Sequence, residues 1–252
     1  MKVVRTIDEL ETAPGTGLVP TMGAFHDGHR ALFRAARAEN ERVVVSLYVN
    51  PAQFDEQSDL EAYPRDEAGD LEVAEAEAVD VVFAPAELYP NGFSTWVVPD
   101  LTGAEADSRP GHFRGVATVC LKLFNIVRPE RAYFGQKDAQ QVSVIRRLVR
   151  DLNLPVEIRV VPTVRDADGL ALSSRNVRLS PEERDRALGL PRALASAVTA
   201  PDPVAAARAS LNGLEPDYVD VLNLGDATVL AAAVRVGSTR LIDNVLLEGE
   251  LR

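Results

Sequence analysis

The chain has 252 residues with 46% hydrophobic and 26% charged side chains, a soluble globular balance that excludes a disordered or low-complexity protein. Its formal charge is −11, and the stretch from Asp55 to Asp80 alone holds 11 acids against the single base Arg65, so the remainder is nearly neutral. That distribution leaves room for a local phosphate pocket but gives no broad basic face for DNA or RNA, and no partner of that kind is expected.

Short β-branched runs alternate with helical patterns along the first two thirds. In chain order, strands are predicted at Gly17 to Pro20, Arg42 to Val49, Asp80 to Ala84, Arg131 to Gly135 and Val156 to Val161. Between them, apolar residues at helical spacing predict helices at His29 to Glu39, Asp66 to Ala78, Val116 to Val127 and Asp138 to Leu152. Alternation of this kind implies a Rossmann-like, doubly wound parallel sheet covered by helices on both faces. After about Pro162 the pattern changes to a loop, helices at Pro181 to Ala197 and Val204 to Leu211, and strands at Tyr218 to Leu224 and Arg240 to Leu247. The expected architecture is α/β, with residues 1–163 as the Rossmann-like domain and residues 164–252 as a smaller α+β C-terminal domain. The acidic stretch reads as a solvated helix face with a loop. No apolar run approaches the roughly 20 residues of a membrane span. The charged N-terminus does not read as a signal peptide, and Cys120 is the single cysteine, so a reducing cytoplasm is the expected location.

Four clusters carry candidate chemistry. The first is Met22-Gly23-Ala24-Phe25-His26-Asp27-Gly28-His29, where a strand turns through glycines into a helix whose N-terminus favours an anion. His26 and His29, three apart, project on one face if both belong to the first turn, and each can donate to a phosphate oxygen. A zinc site would need a third ligand that the sequence does not offer; a plain helix cap made by the two histidines fits the spacing equally. The second cluster is Asn50-Pro51-Ala52-Gln53-Phe54 at a strand end. Its amides can hold a carboxylate without adding charge, which matters if that carboxylate must attack.

The third cluster, Gly135-Gln136-Lys137-Asp138 followed by Gln141, again joins strand to helix. Lys137 is one of three lysines among 27 basic residues, and its compact ammonium suits charge on a transferring phosphate. The fourth, Leu172-Ser173-Ser174-Arg175 at the domain junction, offers hydroxyls and a guanidinium on a loop able to close over a ligand. Arg109-Pro110-Gly111-His112-Phe113 is either structural or a substrate loop.

Taken in order, Pro20 to His29, Val49 to Phe54, Arg109 to Phe113, Gly135 to Asp138 and Leu172 to Asn176 resemble the pantothenate synthetases, members of the nucleotidyltransferases with a His-x-Gly-His signature. The resemblance extends to Asp151 to Pro155 and Arg240 to Asn244, nearly the whole chain. It implies ATP-driven condensation of (R)-pantoate with β-alanine through pantoyl adenylate, with Mg²⁺ present and AMP and pyrophosphate released. By matching position it implies ATP contacts from Met22 through His29, from Gly135 to Asp138, and from Val164 and Leu172 to Arg175. His29, supported by His26, would assist charge or proton movement at the phosphates, and Lys137 would stabilise the transferring phosphate. Gln53 and Gln141 would hold pantoate, Gln53 would also meet β-alanine, and Asn50 would line the same catalytic cleft. The small domain would be a lid, and the assembly a homodimer. Three positions depart from the family's usual pattern: Gln136 for Glu, Ala139 for Tyr and Phe25 for Leu. Gln136 removes a negative charge beside the phosphates, and Ala139 loosens local packing. The alternative is another adenylyl or nucleotidyl transferase on this fold that acts on a different small acid.

Overall fold

β-Branched residues at successive positions, as in Val43-Val44-Val45, are stiff at χ1 and favour extended backbone, and here they form strands buried on both faces. In the computed structural model, which describes residues 1–251, the first unit runs β1 (Lys2–Val4), β2 (Thr16–Thr21), α1 (Asp27–Glu39), β3 (Arg42–Leu47), α2 (Gln57–Glu61), α3 (Glu67–Ala76) and β4 (Val81–Phe83). It continues through α4 (Glu105–Ser108), α5 (His112–Val127), β5 (Arg131–Gly135), α6 (Ala139–Asp151) and β6 (Glu157–Val161). The sheet order is β1-β4-β3-β2-β5-β6, and the pairs are parallel. Side chains alternate between its faces: Leu18 and Val44 pack under α5 and α6 with Phe124 and Ile145, while Val19, Val43 and Val45 pack under α1 with Phe33.

The chain builds outward from β2 through β3 to β4, then returns to place β5 on the other side of β2. The strand order therefore reverses between β2 and β5, and the crevice beyond their carboxyl ends, at Thr21 and Gly135, is where such sheets bind ligands.

The second unit contains α7 (Pro181–Ala187), α8 (Gly189–Ala197), α9 (Pro203–Ser210), β7 (Glu215–Asn223), β8 (Ala227–Val236) and β9 (Thr239–Gly249), with an antiparallel sheet of order β7-β8-β9. One sheet face packs Leu230 and Val234 against Leu190, Leu194 and Leu211. The other places Tyr218, Val229, Ala231 and Ala233 against Ala104 and Ala139 of the first unit. Being buried on both faces, β8 lacks the polar alternation that marks a half-exposed strand, so its sequence carries no strand signal. The short β1, α2 and α4 are too brief to show a periodic pattern, and the helix expected over Pro181 to Ala197 is interrupted at Leu188.

Charged and amide side chains join the units. Arg240 of β9 forms two hydrogen bonds to the buried Glu105 carboxylate, at 3.0 and 2.7 Å, and a third to Asp217 at 2.6 Å. Arg165 makes the same forked contact with the buried Asp243, at 2.7 and 3.0 Å. Asn244 donates through Nδ2 to the carbonyls of Gln136 and Lys137, at 3.0 and 2.9 Å, so β9 fixes the backbone of the turn that carries Lys137.

Candidate active site

A cavity of about 570 Å³ opens at the β2/β5 switch point, within the size range of small-molecule sites. Its walls bring together Met22, His26, Gly28 and His29 from the first cluster, Asn50 and Gln53 from the second, and Gly135, Lys137, Asp138 and Gln141 from the third. Val164 and Leu172 through Arg175 close it from the junction. Gly23, Ala24, Phe25, Asp27 and Gln136 belong to the same segments but do not line it.

The two histidines cap α1, and they do so reciprocally. His26 Nδ1 accepts from the Gly28 amide at 3.1 Å, and His29 Nδ1 accepts from the His26 amide at 3.2 Å. A ring nitrogen that accepts from a backbone N–H carries no proton, so in each neutral imidazole the proton sits on Nε2. The cap and the ligand-facing role are thus compatible: Nδ1 serves the helix and Nε2–H remains as a donor. Burial first, then the positive charge of Lys137, lowers the His26 pKa to about 4; burial, His26 and Lys137 hold His29 well below its ordinary value. Both rings are neutral donors at physiological pH. A Cβ on Gly28 would lie 2.8 Å from His26 Cε1, so glycine is required where the ring folds over the helix start. Phe25, the larger residue at its position, stacks edge-on against Phe33 with centroids 5.1 Å apart and lies 5.2 Å from the His29 ring, holding that ring from behind.

The loop before the cap behaves differently from the anion cradle expected there. Its Ala24 and Phe25 amides donate to the carboxylate of Asp70 in α3, at 2.9 and 2.6 Å. Asp70 is 3% exposed, which corrects the reading of the acidic stretch as a wholly solvated face. Nothing in the sequence marks it, since it is one of many acids in the run and its partners lie 46 and 45 residues away.

Asn50 is 1% exposed, and its amide is fully engaged. Nδ2 donates to Gln53 Oε1 at 3.0 Å and to the Gly115 carbonyl at 3.1 Å; Oδ1 accepts from the Tyr89 hydroxyl at 2.9 Å and the Ala52 amide at 3.3 Å. With both donors and both lone pairs occupied, Asn50 has no capacity left for substrate and instead orients Gln53. Gln53 Nε2 donates to Met22 Sδ at 3.0 Å and retains its second hydrogen. The Gln53 carbonyl accepts from Arg109 Nη2 at 3.2 Å and from His112 Nδ1–H at 2.7 Å, while Arg109 also grips Asp55. These contacts tie the Arg109 to Phe113 segment to the Gln53 turn, and Arg109, His112 and Phe113 also line the cavity, so the segment both supports and faces the site. Burial, followed by the charge of Arg109, lowers His112 to about 4, so it too is neutral.

Lys137 Nζ donates to the Leu172 carbonyl at 3.4 Å and lies 3.8 Å from Asp138. The Gln136 side chain turns from the cavity toward Asn244 Oδ1, 3.4 Å away, so the missing charge at this position is not a charge removed from the cavity wall. Ala139 is 3% exposed and packed in the cluster with Tyr218, Val229, Ala231 and Ala233; the small sheet occupies the space, and the packing is not loose. In the junction loop, Arg175 donates to Asp59 at 2.7 Å and lies 5.7 Å over the Tyr63 ring, while Arg178 donates to the other Asp59 oxygen at 3.2 Å. Asp59 in α2 therefore clasps the loop across the cavity mouth, a contact between residues 116 and 119 positions apart that sequence spacing does not disclose.

A parallel sheet open at its switch point, with paired neutral imidazole donors, one lysine and oriented amides around a single cavity, defines an α/β enzyme of the Rossmann-like kind built for an anionic ligand. The model of the pantoate-beta-alanine ligase family matches residues 2–246. A pantothenate synthetase of Roseiflexus sp. (strain RS-1) is 52% identical over 98% of this chain and 100% of its own, and that of Chloroflexus aurantiacus (strain ATCC 29366 / DSM 635 / J-10-fl) is 50% identical over 99% of each. Among solved structures, a pantothenate synthetase from Thermus thermophilus matches with a TM-score of 0.92 and 42% identity, covering 98% of this chain and 100% of that one. A pantoate-beta-alanine ligase from Francisella tularensis, solved with beta-gamma ATP and beta-alanine, matches with a TM-score of 0.85 and 35% identity over 98% of both chains. The chain belongs to the pantoate-beta-alanine ligase family.

Proposed function

We propose that this chain condenses (R)-pantoate with β-alanine at the expense of ATP. A pantoate carboxylate oxygen attacks the α-phosphorus and pyrophosphate leaves, giving pantoyl adenylate; the β-alanine amine then attacks the acyl carbon, AMP departs, and the amine loses its proton as the amide forms. The observation that carries this reading is the convergence of His26, His29, Lys137 and the Asn50–Gln53 pair on one cavity in a chain of this family.

In this reading the phosphates of ATP lie against Lys137 and the Nε2–H groups of His26 and His29. Because both imidazoles are neutral with Nδ1 engaged, they act by hydrogen bonding to developing negative charge and not by delivering a proton. Met22 and Gly28 line the phosphate side, while Gly135, Asp138, Val164 and Leu172 through Arg175 hold the nucleotide. Gly23, Ala24, Phe25, Asp27 and Gln136 support it from behind the wall. Gln53 and Gln141 hold pantoate and Gln53 also meets β-alanine; amides fix the carboxylate while leaving its charge free to attack. Asn50 is a positioning residue. Residues 164–252 act as the lid that keeps water from the adenylate.

Mg²⁺ fits this donor set. Among the described residues no group of three or more His, Cys, Asp or Glu side chains is arranged to cage a metal, and Mg²⁺ needs only one or two carboxylates beside substrate phosphates and water. Of the cavity carboxylates, Asp55, Asp59, Glu105 and Asp243 are paired with arginines at 3.0 Å or less, and Glu56 lies 3.9 Å from Arg235; Asp138, next to Lys137, would hold the ion. When bound it supplies positive charge for the leaving pyrophosphate. The enzyme works as a cytoplasmic homodimer, and sedimentation tests that state. Pantoate labelled with ¹⁸O in its carboxylate tests the chemical route: one label should appear in AMP, whereas unlabelled AMP with product formed would contradict an acyl adenylate.

A further inference from the structure

Gly23 and Ala24 are successive residues with φ of +90° and +54°. Glycine tolerates that region, but for alanine it costs about 1 kcal/mol or more and persists only where surrounding contacts impose it. At this point the contact is Asp70. Its carboxylate accepts from the amide of Ala24 itself at 2.9 Å and of Phe25 at 2.6 Å. Backbone amides brought together by such a conformation form a concave anion site. Here the anion is supplied from within, by a side chain 3% exposed on α3. The seat has no spare room: a Cβ on Gly23 would lie 2.7 Å from Asp70 Oδ2 and 2.8 Å from Leu47 Cδ1.

The geometry points to Asp70 as a positioning residue for the nucleotide site, acting through the Gly23–Phe25 loop on His26 and His29. By occupying the loop amides it bars phosphate from them and leaves the two Nε2–H groups and Lys137 as the donors that face ATP. Phe25, tied at its amide by Asp70, is also the ring packed behind His29, so one carboxylate sets the backbone entry to the cap and the rear wall of its second histidine. The inference rests on the reading of this cavity as the ATP site.

The test is Asp70→Asn, whose amide cannot accept from both N–H groups without turning its own NH₂ toward one of them. KM for ATP should rise about tenfold or more while KM for pantoate stays within about twofold, because Gln53 is oriented by Asn50, which lies outside the loop that Asp70 holds. Ala24→Gly, which removes the steric objection to positive φ, should recover a substantial part of the ATP defect when added to Asp70→Asn. An unchanged KM for ATP in folded Asp70→Asn, or equal losses for both substrates without recovery by Ala24→Gly, would overturn the inference. If Asp70→Asn does not fold, amide exchange of the intact protein decides. Ala24 and Phe25 should be protected equally with and without ATP; rapid exchange in the nucleotide-free protein, or protection arising only with ATP, would overturn it. Wild-type protein inactive with ATP, pantoate and β-alanine would instead defeat the functional reading itself.

Discussion

His26 and His29 satisfy each other's end of α1: the first ring caps the helix by accepting from Gly28, and the second accepts from the amide of the first. This pair of bonds, with ring centroids 4.2 Å apart, fixes both tautomers and leaves each Nε2–H for the cavity. The same contacts thus hold the helix start and prepare its ligand donors.

Acid should weaken this fold before it reaches the range of ordinary carboxylates. In the native state His26 and His112 titrate at about 4 and His29 well below its usual value, whereas in the unfolded chain all three take up protons near pH 6.5. Between about pH 7 and pH 5 the unfolded state binds more protons, so stability falls as pH falls. Asp70, whose carboxyl is raised mainly by burial, works in the opposite sense but is one group against three. Urea midpoints at about pH 7.5 and pH 5 check this: the midpoint should be clearly lower at the acid end, and an unchanged one would contradict the buried neutral histidines.

Lys137 should matter to the transition state far more than to the fold. It is part-buried, and its ammonium makes one long hydrogen bond to the Leu172 carbonyl and lies 3.8 Å from Asp138. Lys137→Ala should slow adenylate formation by about a hundredfold or more with little change in thermal midpoint. Near-normal turnover with an intact circular dichroism spectrum would remove Lys137 from its assigned role.

The Asn50–Gln53 pair should separate by stability. Asn50→Ala strips partners from buried groups of Tyr89, Ala52 and Gly115 and should cost about 1–3 kcal/mol. Gln53→Ala should cost little stability while raising KM for pantoate strongly. Denaturation curves beside pantoate kinetics read both, and the account fails if Gln53→Ala leaves pantoate use intact.

Gly115 tests how the pantoate turn is seated. A Cβ there would fall 2.2 Å from the Ala52 carbonyl oxygen, so Gly115→Ala must push α5 and the Pro51–Gln53 turn apart. It should destabilise the protein by about 1–3 kcal/mol and raise KM for pantoate. A variant with wild-type kinetics and midpoint would show that the close approach is unimportant.

Much of the site was legible because its parts are local: strand, glycine turn and helix start lie within residues 20–29, and Gly135 to Asp138 repeats that arrangement. The contacts without a sequence signal depend on long separation or on burial from both sides. Asp70 reaches back to Ala24, Asp59 reaches forward to Arg175, and Glu105 meets Arg240 across 135 positions, none of which has a periodic signature. β8 contains Ala231-Ala232-Ala233, residues that favour helix in isolation but fit where helices press on one face of the small sheet and the larger unit on the other. The Asn50 amide is a capable ligand group by type, and only the packing around Gly115 and Tyr89 shows that its hydrogen bonds are already taken.

The most direct measurement of the central claim is pyrophosphate release from ATP and Mg²⁺ with pantoate, with and without β-alanine, beside a panel of other small carboxylic acids. Release that requires pantoate, with multiple turnovers only when β-alanine is added, is the predicted result. ATP binding without pantoate-dependent release, or release driven equally well by another acid, would contradict it.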